Sequence, residues 1–248
     1  MDDLVRAVGK LLASTHPEDV QTGLEKARAR LPRADEEERL RYVEMAATLF
    51  YIDTLEHPEY LEVVEDAISL VASVGAPAIP VLMQQLEGGD VKSQMAVGVA
   101  MGRMDADAIQ PLIAQYHNAC PEPGCRSFVL YALGKIRSPR VIEALPIALE
   151  AAAAPDQELR DSATRSLGKF AESIPAGRLS AEVRDIMIDR LRANLSDVSP
   201  AIRAKAIRSL GKLSHHGHLT REQQEDLVVT CRRLLGEDKM NQLHAARV

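Results

Sequence analysis

Two clusters of side chains in this sequence have the chemistry for a metal or a redox centre. His117, Cys120 and Cys125 lie in one short stretch around Pro121-Glu122-Pro123-Gly124, a spacing that suggests zinc or a redox disulfide. His215, His216 and His218 crowd a loop containing Gly217, and imidazoles at that density suit a transition metal. Neither cluster is complete. The first lacks a fourth ligand, and the second lacks a carboxylate close in sequence. Neither pairs a base with a nucleophile at a readable spacing, and histidine after a helix often meets terminal carbonyls. The residues read as no metal, no cofactor and no catalytic group.

The elements that hold these residues recur. Ala132-Leu133-Gly134-Lys135, Ser166-Leu167-Gly168-Lys169 and Ser209-Leu210-Gly211-Lys212 are near copies, and Ala100-Met101-Gly102-Arg103 is a looser one. Their glycines are about 30 to about 45 residues apart, the period range of helical repeat arrays. With each glycine as zero, apolar residues at −9, −5, −1 or −2 and +2 form one helical stripe, so each copy ends an amphipathic helix. The glycine predicts close approach of a neighbouring helix. Cys125 shares the core column of Leu159 and Ile202, where free cysteine behaves as a small hydrophobe. The basic column at +1 (Arg103, Lys135, Lys169, Lys212) reads as helix-end chemistry, and Arg126, Arg160 and Arg203 at −8 read as an Asp–Arg ladder. Gly98, in mid-helix, predicts a need for space.

A further helix precedes each of these, with Pro80, Pro111 or Pro146 at nearly equal distances before Gly102, Gly134 and Gly168. Proline there predicts a kink. Asp90 and Asp156 are expected to cap the second helices, with Glu122 or Asp197 in that place elsewhere. The proline-bearing first helix, the turn acid, the arginine and the A-x-x-(A/S)-L-G-(K/R) ending resemble HEAT repeats. They are most similar to the short bacterial type found in phycobiliprotein lyases and in many unrelated adaptors. The resemblance covers about residues 66–214 and implies an all-α fold, a right-handed α-α superhelix of stacked antiparallel helix pairs. It also implies that the second helices line a concave face.

Residues 1–65 lack the repeat ending and read as a polar cap of about four helices, 2–13, 17–31, 35–55 and one starting near Pro58. Repeats are expected over 66–235, stretched by a loop at 174–180, with a closing helix at 221–235 and a frayed tail at 236–248. Aromatic residues make up only 3% of the chain, and no segment alternates apolar and polar residues over a strand's length. The net charge is −6, but 1–65 carry about −7 and 156–248 about +3. Such a balance makes a poor general nucleic-acid binder. The chain has no apolar run of transmembrane length and no signal segment, and its three cysteines show no disulfide framework. A reducing cytoplasm is therefore expected.

On the concave face the exposed columns are expected at −7, −6, −3 and +1. The −3 column reads Val99, Tyr131, Arg165, Arg208, and the −6 column reads Ala96, Phe128, Ser162, Lys205. Both turn from apolar to basic. Met95, Val99, Phe128, Tyr131, Arg165, Lys205 and Arg208 are the candidate partner-binding residues, suited to an acidic or amphipathic segment of another protein. The expected function is a non-enzymatic scaffold or adaptor. The resemblance leaves bilin or tetrapyrrole handling as the alternative, with Asp161, Tyr131 and Cys120 as its thin candidates. An iron-dependent hydroxylase of the HEAT type would need His-Glu dipeptides, which are absent. A repeat-based DNA glycosylase would need more basic charge and groove aromatics.

Overall fold

The computed structural model describes residues 3–85 and 91–245, with side chains described at all of them except 91, 235 and 237–245. Among the described residues every regular element is helical. In chain order they are α1 (Asp3–Leu12), α2 (Pro17–Arg30), α3 (Glu36–Ala47), α4 (Leu61–Val74), α5 (Ile79–Gln84), α6 (Val91–Arg103) and α7 (Ile109–Asn118). They continue with α8 (Pro123–Leu133), α9 (Leu145–Ala151), α10 (Gln157–Ser173), α11 (Ala181–Ala193), α12 (Pro200–His215) and α13 (Arg221–Ala245). The chain forms two compact units, Met1–Ala144 and Leu145–Val248.

In the first unit α4, α6 and α8 stack side by side, with α5 and α7 as the first helices of their pairs. The stripe predicted by the repeat is buried at Val97, Met101, Met104, Val129, Leu133 and Ile136, and Ile79, Leu82, Ile109 and Leu112 of the first helices pack inside with it. Each such side chain stabilises the fold by about 1.5–3 kcal/mol relative to exposure. The prolines do not kink a long helix. Short 3-10 turns, Ala76–Ala78 and Asp105–Ala108, lead into α5 and α7, and Pro80 and Pro111 lie in the first α-turn. There the missing N–H has no intrahelical partner to lose, and the fixed φ favours the helix. In the first unit the turns from α4 to α5 and from α6 to α7 use a left-handed residue, Gly75 (φ 77°) and Asp105 (φ 57°).

The N-terminal region differs from expectation in its third helix. Asp35 caps α3 by accepting from the Glu38 amide at 2.8 Å, but α3 stops at Ala47. A 3-10 turn over Thr48–Tyr51 follows, in which Thr48 Oγ1 donates back to the Met45 carbonyl. That local bond and the β-branched and aromatic residues favour ending the α-helix there.

In the second unit α10 and α12 pack along their length, with α9 and α11 beside them. Pro146 again stands in the first α-turn, after a 3-10 turn over Pro139–Ala144. Asp156 caps α10 through the Leu159 amide at 2.8 Å, and Ser180 caps α11 through the Val183 amide at 3.2 Å. Glu122 and Ser199 stand at the N-caps of α8 and α12 without a side-chain cap bond, so Asp197 does not fill that place; Asp90 lies outside the described residues. The loop over 174–180 is pinned by buried Ile174 and Leu179. α12 ends in a Schellman turn: Gly217 (φ 76°) donates to Ser214, and His218 donates to Leu213 at 2.8 Å. α13 is helical through Ala245, beyond the expected end at 235. No single helix among the described residues is long and apolar enough to cross a membrane.

Candidate partner-binding surface

In the first unit α6 and α8 bring four of the predicted residues together. Met95 is 52% exposed, whereas Val99, Phe128 and Tyr131 are half-buried. The Phe128 and Tyr131 rings lie 5.9 Å apart, centroid to centroid. Gly98 explains the placement of Tyr131, because a Cβ there would strike Cε1 of the ring and come within 2.9 Å of Cδ1. The space at Gly98 is thus filled from within the fold. Lys135 stands with Nζ 4.9 Å from the Tyr131 centroid, a cation–π contact of about 0.5–1 kcal/mol where exposed.

Two of the repeat glycines, Gly102 and Gly168, follow the same logic. A Cβ on Gly102 would meet Lys135 Cβ at 2.6 Å, and one on Gly168 would meet Ser209 Cβ at 2.7 Å and its Cα at 2.8 Å. Real Cβ atoms do not approach so closely, so each glycine admits the next second helix.

In the second unit the basic residues are less available than the sequence implied. Arg165 and Arg208 are exposed on α10 and α12. Lys205, expected to face a partner, instead pairs with Asp161 across the two helices. Ser127, at −7, is buried rather than exposed. The +1 cations turn to side chains rather than helix-end carbonyls. Lys169 and Lys212 converge on one carboxylate, Glu172, at 3.0 and 2.8 Å. Arg103 reaches Glu65 at 2.5 Å and Ser69 at 3.0 Å. Burial pushes the Lys212 ammonium below the ordinary lysine value; Glu172 opposes this and Lys169 adds to it.

The −8 arginines have two tasks. Arg126 donates to the Cys120 carbonyl, Arg160 to those of Ala154 and Pro155, and Arg203 to those of Asp197 and Val198. Each thus closes the turn before its own helix. Arg160 also makes the predicted rung, to Asp197. Arg126 lies 5.4 Å from the Tyr116 ring centroid, a contact that no spacing in the sequence announced.

Both cysteine and histidine clusters resolve into structure. Cys120 and Cys125 are disulfide-bonded, Cα to Cα 5.3 Å, and Cys231 is the free cysteine. This corrects the expectation of a free core thiol at Cys125, which is half-buried rather than inside. It also removes the cysteine argument for a reducing compartment. The bond forms because Cys125 sits in the first turn of α8, where the short Pro121–Gly124 turn swings Cys120 over it. His218 is fully buried with Nε2 3.0 Å from the Ala171 carbonyl of α10, while His215 and His216 are exposed. Among the described residues no three His, Cys, Asp or Glu side chains group as metal ligands.

Residues 79–168, from α5 to α10, match the family model for HEAT repeats. Over that segment the chain is similar to HEAT repeats. The complex of CpcE and CpcF of phycocyanin lyase from Nostoc sp. PCC7120 is similar in structure, with 20% identity and a TM-score of 0.51 over 64% of this chain and 89% of that one. At that identity the likeness shows the fold, an α solenoid. A designed armadillo repeat protein (14% identity, 85% of this chain and 99% of that one) has a TM-score of 0.38. An engineered protein (18% identity, 87% and 98% covered) has a TM-score of 0.42. No curated protein matches by sequence.

Proposed function

We propose that this HEAT-repeat protein is a non-enzymatic scaffold whose second helices hold a segment of another protein. The observation that carries the reading is the exposure of predicted residues in each of the two units. Lys205, Lys169, Lys212 and Arg103 are tied to carboxylates of the fold, and Arg165 and Arg208 are exposed on α10 and α12. On α6 and α8, Met95 is exposed next to half-buried Val99 and Phe128. Apolar side chains of a partner suit the surface of the first unit and carboxylates suit that of the second, so the ligand class is a protein with apolar and acidic segments.

The test compares affinity purifications from the native host with the intact protein, with Arg165→Glu/Arg208→Glu, and with Met95→Glu. The proposal expects one co-purifying protein lost from both variants while their helical circular dichroism and melting stay unchanged. Full retention by both variants overturns it.

A second reading, tetrapyrrole handling, draws on the phycocyanin-lyase neighbour. The three residues with chemistry for it are engaged: Cys120 in a disulfide, Asp161 with Lys205, and Tyr131 with Lys135 and Phe128. Co-expression with a bilin separates the readings, since visible absorbance that follows the purified chain supports only this one.

A further inference from the structure

α13 is built differently from the other long helices. α12 buries Ile202, Ala206, Leu210 and Leu213, but none of the described side chains of α13 is fully buried. At 100° per residue its exposed positions between 221 and 236 fall on one arc of about 160°. Val228 and Val229, 48% and 64% exposed, lie in the middle of that stretch. Glu225 precedes them on the same face, and Arg232 and then Gly236 follow. Asp226, at the edge of the arc, is held at 2.8 Å by Arg192 of α11; of the other exposed acids, Glu225 lies nearer the centre of the face than Glu222.

The order acid, valine pair, base along one face is complementary to itself when reversed. Laid antiparallel about an axis between Val228 and Val229, two such helices set Glu225 of each against Arg232 of the other and valine against valine. Gly236, with nothing within 4 Å of its Cβ position, then leaves room for Arg221 of the second copy. A parallel pairing would oppose like charges instead. The present partner of Glu225 is Arg221 at 3.0 Å, an exposed pair that contributes little and yields readily. Self-complementarity of one patch is the signature of an isologous contact. We propose that this face of α13 pairs two copies of the chain antiparallel, independently of the surface that holds another protein.

Sedimentation of the full chain over a concentration series tests this. The intact protein is expected to show a monomer–dimer equilibrium, and Val229→Glu to remain monomeric with unchanged helical content. Glu225→Arg and Arg232→Glu are each expected to weaken dimerisation about tenfold, and the two combined to restore it. A monomer at every concentration, dimerisation indifferent to Val229→Glu, or failure of the double reversal to restore it overturns the proposal.

Discussion

Arg160 and Asp197, 37 positions apart, form a two-pronged bond: Nε donates to Oδ2 at 2.6 Å and Nη2 to Oδ1 at 3.3 Å. Both side chains are largely buried, and Arg160 uses Nη1 for the carbonyls of its own turn. One guanidinium therefore ties the turn before α10 to the turn before α12. Arg160→Met leaves Asp197 buried without its cation and is expected to destabilise the protein by about 3 kcal/mol, read as a lower urea midpoint.

The same pair predicts a pH dependence. The Arg160 hydrogen bond holds the Asp197 carboxyl below its ordinary value, against the opposing effect of burial. A carboxyl depressed in the folded state adds stability above its unfolded value, about 3.9, and loses it as the pH falls through the folded value. Urea midpoints of the intact protein and of Asp197→Asn should differ at pH 7 and converge in acid.

Gly168 and Gly211 occupy the same repeat position with different surroundings. A Cβ on Gly168 strikes Ser209, whereas nothing stands within 4 Å at Gly211. Gly168→Ala should destabilise by about 1–3 kcal/mol through overpacking. Gly211→Ala should stabilise by about 0.5–1 kcal/mol, because it replaces a mid-helix glycine. Thermal melts of the two variants check both signs.

Lys212 is expected to tolerate loss of its charge. At neutral pH its ammonium is disfavoured by burial and by Lys169, and Glu172 keeps Lys169 as a partner without it. Lys212→Met should be neutral or stabilising by up to about 1 kcal/mol. A base depressed in the folded state costs stability at pH 7, and the cost fades as the pH rises through its folded value. The gain should therefore shrink in alkali.

The Cys120–Cys125 bond predicts a thiol count. Of three cysteines, Cys231 alone is free, so the unfolded, unreduced protein should titrate one thiol and the reduced protein three. The loop closed is short, and reduction should cost about 2 kcal/mol on the chain-entropy account.

Much of the packing was legible in sequence because it repeats. Gly102 and Gly168 mark where a neighbouring repeat approaches, although Gly211 does not, and Gly98 stands out because a mid-helix glycine demands a reason; its reason is the Tyr131 ring. Asp161 and Lys205 are also opposite charges in adjacent copies at neighbouring columns, a legible signal for the pair they form. The disulfide was hidden by the core column: Leu159 and Ile202, at the same third position of α10 and α12, are buried apolar residues, and only Cys125 has a second cysteine in the turn before its helix. Glu172 lay outside the aligned columns, so its grip on two lysines had no sequence signal. The His218 contact joins residues 47 positions apart, which no local spacing encodes.

The open space at Gly211 bears on how this chain tolerates change. The letters at 209–212 copy those at 166–169, yet only the earlier glycine is fenced by a neighbour. Identical motifs thus differ in mutational freedom: a side chain can arise at 211 at no steric cost, while 168 admits none. In sister sequences the motif should erode first at 211, and the surviving glycines would then mark the places where one repeat still leans on the next.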